Sequence, residues 1–82
     1  MTRIEILKQL TQLIGDIVDD PDLELTESMT PEDVPDWDST NHVRLAVAIE
    51  SEFGIRFDTD EICLPPNVGQ LLDLIERRMK KA

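Results

Sequence analysis

Ile4, Leu7, Leu10, Leu13, Ile14, Ile17 and Val18 recur at intervals that gather apolar side chains on one face of an α-helix. Thr2, followed three residues later by Glu5, is a capping-box pattern, so a first helix is expected from about Thr2 to Val18. Gly15 weakens it locally, and Asp19-Asp20-Pro21 ends it. A second stripe, His42, Leu45, Ala46, Ile49 and Phe53, lies on one side of a helix expected from Ser39 to Phe53, with Thr40, Arg44, Val47 and Ser51 on the opposite ridge. Gly54 closes that helix. Thr59 can cap a short third helix running to about Leu64, beyond which Pro65-Pro66 forbids continuation. Asn67 and Gln70 cap the last helix, in which Val68, Leu71, Leu72, Ile75 and Met79 form the stripe. The expected fold is all-α: a four-helix bundle with three long helices and one short one, in a single domain over residues 1–82.

Residues 19–37 are too long a connection to lie unattached in a compact domain. Leu23, Leu25 and Met29 are the expected pins. Thr30-Pro31-Glu32-Asp33 reads as a cap, a first-position proline and first-turn acids, hence a single helical turn that Val34-Pro35 stops.

Composition narrows the function. A chain of 82 residues buries about 60 to 65% of its unfolded surface, enough for a small core and too little for an enclosed multi-substrate site, so the protein is not expected to be an enzyme. Eight basic against 18 acidic residues give a net charge of -10, which disfavours nucleic acid and anionic membrane and favours basic protein surfaces. A lone cysteine and the lack of a leader or long apolar run make a cytoplasmic location the expectation, without membrane insertion.

The candidate chemistry lies in Pro35-Asp36-Trp37-Asp38-Ser39-Thr40-Asn41-His42-Val43. Asp38 can accept a hydrogen bond from a first-turn N–H as the helix cap, which leaves the Ser39 hydroxyl at the helix mouth. First-turn amides and the helix dipole make that mouth electropositive, a better seat for a phosphodiester on serine than for an acyl-transfer nucleophile. His42 falls on the core side and Cys63 in the short third helix, where it is expected to be a small buried hydrophobe, and no triad is placed around either. The acid clusters lack the spacing of a calcium loop, so no metal is expected.

Asp38-Ser39-Thr40-Asn41-His42-Val43-Arg44-Leu45, then Ile49-Glu50-Ser51-Glu52-Phe53-Gly54-Ile55 and Val68-Gly69, resemble the Asp-Ser-Leu motif, second helix and last-helix opening of acyl carrier proteins, a resemblance spanning nearly the whole chain. It implies a monomeric carrier without catalysis of its own. Ser39 would hold 4'-phosphopantetheine, transferred from coenzyme A by a phosphopantetheinyl transferase, with Asp38 supporting the modification. The arm's thiol would present acyl intermediates, as thioesters, to acyl-loading and acyl-processing enzymes of fatty acid, polyketide or related biosynthesis. Asp36, Trp37, Thr40, Val43, Arg44, Val47 and Glu50 would form the partner surface, Trp37 being read also as a staple of the incoming chain. Leu45, Ile49, Ile62 and Leu72 would line an acyl pocket between the second and third helices. Thr40 stands where leucine is usual and Arg44 where many fatty-acid carriers have an acid, so the chain is similar to discrete carriers of specialised pathways. An aminoacyl or peptidyl carrier of a nonribosomal-type pathway, and an acidic helical interaction module never modified on Ser39, are the alternatives.

Overall fold

The computed structural model describes residues 2–81. Met1 and Ala82, the ends of the domain expected over 1–82, lie outside them. Three α-helices follow in order: α1 (Arg3–Ile17), α2 (Ser39–Phe53) and α3 (Val68–Lys81). Two 3-10 turns, Pro31–Asp33 and Thr59–Glu61, interrupt the connections, and there is no strand among the described residues.

The helix ends follow from local chemistry. Thr2 Oγ1 accepts the Glu5 N–H, and Glu5 Oε1 accepts the Thr2 N–H, each at 3.2 Å, closing the capping box of α1. At the other end Asp20 N–H bonds the Gly15 carbonyl at 2.8 Å as the chain turns back through Asp19 in the left-handed region, φ 58°. A Cβ on Gly15 would stand 2.9 Å from the Asp20 carbonyl oxygen, so this helical glycine makes room for the reversal. α2 ends at Gly54, φ 66°, as its sequence predicts. At the start of α3, Asn67 Oδ1 accepts from Gln70 N–H at 2.9 Å.

The core is one cluster drawn from all three helices: Ile6, Leu10 and Ile14; Leu45 and Ile49; Val68, Leu71, Leu72 and Ile75. Full burial of each such side chain contributes about 1.5–3 kcal/mol. The first connection adds Leu25, Val34 and Trp37, with Leu23 and Met29 packed against the cluster. It also supplies the Met29 carbonyl to Val68 N–H at 2.8 Å and the Glu27 carbonyl to Gly69 N–H at 2.9 Å, satisfying amides that a helix cannot satisfy itself. Arg3 fastens the same corner from outside. Its guanidinium reaches Glu27 at 2.7 Å, Asp73 at 2.8 Å, the Gly69 carbonyl at 3.1 Å, and Glu76.

The expected short third helix is only the three-residue 3-10 turn Thr59–Glu61. The Pro65 ring would clash with the Glu61 carbonyl and disfavours helical geometry at Leu64, so the last turn of the expected helix does not form. Glu61 Oε1 accepts the Asp58 N–H at 2.8 Å, and the backbone leaves helical geometry at Ile62 with ψ 56°. Cys63, expected to be buried in that helix, is exposed instead.

Candidate functional site

Four hydrogen bonds shape the start of α2. Asp38, extended at φ -114°, accepts the Asn41 N–H on Oδ1 at 2.9 Å and the His42 N–H on its carbonyl at 2.8 Å. Asn41 sends Nδ2 back to the Asp36 carbonyl at 2.7 Å. Asp36 holds the left-handed conformation this requires, φ 69°, which aspartate tolerates better than most residues. Trp37, immediately ahead of the cap, donates Nε1–H to His42 Nδ1 at 3.1 Å.

Ser39 is the first residue of the helix and its side chain is exposed. The N–H groups of Ser39 and Thr40 meet no protein acceptor among the described residues, and the first turn holds no acid. Two unengaged amides at the positive end of a fifteen-residue helix form a seat for an oxyanion beside the hydroxyl. The hydroxyl itself has no base. His42, one turn away, is 2% exposed with its Nδ1 occupied by the indole, and burial pushes its pKa down, opposed by the Cys63 backbone. Among the described residues no side chain is placed to activate this hydroxyl as a nucleophile.

The remaining sequence-predicted residues divide. Asp36, Asp38, Thr40, Val43, Arg44 and Val47 are exposed on the loop and the outer ridge of α2, Val43 at 51% and Val47 at 60%. Trp37 does not belong to that surface: it is 5% exposed and in the core, because its indole N–H has a buried partner. Glu50 is half-buried, its carboxylate accepting the Phe57 N–H at 2.9 Å, and so serves the fold at the far end of α2. Of the proposed acyl pocket, Leu45, Ile49 and Leu72 share the core cluster and are closed to solvent, whereas Ile62 sits half-buried at the end of the second 3-10 turn. Arg3 carries no signal in the sequence, since its four partners lie far along the chain, in the first connection and in α3.

No helix among the described residues is long and apolar enough to cross a membrane, and no group of three or more metal-ligating side chains gathers there.

Fold and site together define a small acidic helical domain that presents one serine at a helix mouth. The chain is 31% identical over 75 residues to the acyl carrier protein of Acidothermus cellulolyticus, covering 92% of this chain and 89% of that protein. It superimposes with a TM-score of 0.80 on the solution NMR structure of holo acyl carrier protein from Geobacter metallireducens, at 32% identity, over 92% of this chain and 86% of that one. Scanned against protein-family models, it matches none. The chain belongs to the acyl carrier protein family, and is a carrier and not an enzyme.

Proposed function

We propose that Ser39 is the attachment point of 4'-phosphopantetheine and that the arm's thiol carries acyl intermediates as thioesters in a biosynthetic pathway. The observation that carries this reading is the exposed Ser39 hydroxyl beside two unengaged first-turn amides, in a chain of this family. In the transfer the hydroxyl attacks the pyrophosphate of coenzyme A. A P–O bond forms to serine, the bond to the nucleotide half breaks, and the hydroxyl proton passes to a base on the transferase. The phosphodiester left on Ser39 then lies at the positive end of α2. Asp38 supports the step by fixing the first turn through the Asn41 N–H.

The exposed ridge of Thr40, Val43, Arg44 and Val47, with Asp36 and Asp38 beside it, is the surface read by partner enzymes. Its acids draw basic partners over roughly 10 Å. Arg44 makes no ion pair among the described residues and selects partners that place an acid opposite it. Arg44→Glu should slow turnover by the native partner while Ser39 is still modified, and unchanged turnover would remove Arg44 from this surface.

The deciding experiment is incubation with coenzyme A and a broad-specificity phosphopantetheinyl transferase, followed by intact mass. The wild-type chain should gain one arm, and Ser39→Ala should fold with an unchanged circular dichroism spectrum and gain nothing. A modified Ser39→Ala chain would overturn the assignment. An unmodified wild type would favour the acidic interaction module.

A further inference from the structure

Trp37 stands one residue before the cap and His42 at the fourth helical position, the two sites where helices commonly place a pair of apolar side chains that fix the angle of the incoming chain. Here that contact is a hydrogen bond of 3.1 Å, indole Nε1–H to His42 Nδ1, with ring centroids 6.0 Å apart and planes inclined by 31°. The two rings are 5% and 2% exposed. An imidazole that accepts on Nδ1 is neutral and carries its hydrogen on Nε2. Proton uptake would put a hydrogen on Nδ1, and two N–H groups would then face each other. Two leucines would hold the same angle at any pH; this pair holds it in one protonation state.

Two polar groups meet the ring. The first connection presents Trp37 Nε1, and the second presents the Cys63 backbone. No ion pair or hydrogen bond joins the His42 side chain to an acidic or basic side chain among the described residues. Asp36 and Asp38, the nearest acids in sequence, are exposed. Ser39, Thr40 and Asn41 are the whole of the chain between the cap and the staple. Breaking the staple leaves the Asp38 cap and the Asn41 bond to Asp36 in place. The helix then persists, while the loop loses its fixed angle to Ser39.

We propose that Trp37 and His42 are positioning residues for Ser39: their hydrogen bond is a titratable staple that fixes the serine-bearing end of α2 for the enzyme that modifies it. This rests on Ser39 being the modified serine.

Two measurements test it. On the unmodified protein, the indole Nε1–H and the Ser39 and Thr40 backbone amides are followed by NMR from about pH 7.5 to 5. They should move together with one midpoint below the ordinary histidine value of 6.5, because burial disfavours the charged ring. The movement should be absent in His42→Gln, whose amide oxygen can accept the indole N–H throughout. The second measurement is the transferase rate on the wild type relative to His42→Gln at each pH, a ratio in which the transferase's own titration cancels. It should stand near one at neutral pH and fall by about fivefold toward acid, the effect of one neutral hydrogen bond, through KM and not kcat. Trp37→Phe should show the lowered value at every pH, and replaces His42→Gln as the reference should that variant not fold. Serine amides that ignore the indole titration would overturn the proposal. So would a Trp37→Phe chain modified as fast as wild type at neutral pH. A wild type that gains no mass at any pH would instead refute the Ser39 reading, while the joint amide titration still decides whether the staple holds this end.

Discussion

Residues 18–38 and residues 54–67 each join two long helices and each contain one 3-10 turn, yet they are attached in opposite ways. The first and longer connection puts Leu25, Val34 and Trp37 into the core and gives two carbonyls to the opening amides of α3. The second gives the core Ile55, lays Phe57 against it, and leaves Cys63 and Leu64 exposed. Arg78 holds the second from outside, on Asp58 at 2.9 Å and on Glu61. Looseness therefore does not follow length. A connection anchored by buried side chains opens only at the expense of the core, while one held by partly exposed ion pairs can open locally.

The largest effect should come from truncating one leucine in each. Leu25 is 8% exposed, so Leu25→Ala should destabilise by about 2–3 kcal/mol in urea unfolding. Leu64 is 37% exposed, and Leu64→Ala should stay within about 0.5 kcal/mol. Equal losses at the two sites would erase the distinction.

Gly15 probes the first connection from the helix side. Replacing a glycine inside a helix by alanine ordinarily stabilises by about 1 kcal/mol. Here the new Cβ meets the Asp20 carbonyl at 2.9 Å, a backbone atom tied to Gly15 by its own amide, so Gly15→Ala should destabilise by about 1 kcal/mol instead. A higher melting temperature for this variant would show that the connection yields and is not pinned.

The sequence made these regions legible to different degrees. The apolar stripes and caps place α1 within a residue at each end and α2 from Ser39 to Phe53, because helix periodicity and capping are local. Leu23, Leu25 and Met29 were legible as pins, being isolated apolar residues in an acidic stretch. Val34 reads in the sequence only as part of the stop with Pro35, yet it is 2% exposed. The third helix is shorter than its pattern predicts, because proline restricts the residues before it as well as ending the helix. At the site, the Asp38 cap was legible, and so was the core placement of His42. That Trp37 bonds His42 was not, because the pair depends on the angle at which the loop enters the helix.

The smallest effect concerns the second connection and does not change global stability. Glu61 keeps its carboxyl below the ordinary carboxylate range, first through the Asp58 N–H and then through Arg78. A carboxylate with a lowered folded pKa contributes stability at neutral pH that is lost as the pH falls through that folded value. Arg78→Ala should therefore lower amide-exchange protection at residues 58–62 with little shift in melting temperature, and acidification should lower the same protection in the wild type once exchange rates are corrected for pH. We propose that this is also the side on which an acyl chain would enter. Leu45, Ile49 and Leu72 are closed to solvent in one cluster, so cargo reaches them only if a covering segment moves, and residues 54–67 are the segment with least to lose. Amide spectra of the holo protein should be compared with forms carrying a medium-length alkyl chain and a short polar acid. Sequestration predicts that Leu45, Ile49, Ile62 and Leu72 shift for the alkyl chain alone, and shift further in Arg78→Ala. Changes confined to residues 37–43 with both cargoes would show that the second connection stays shut and that cargo remains outside the bundle.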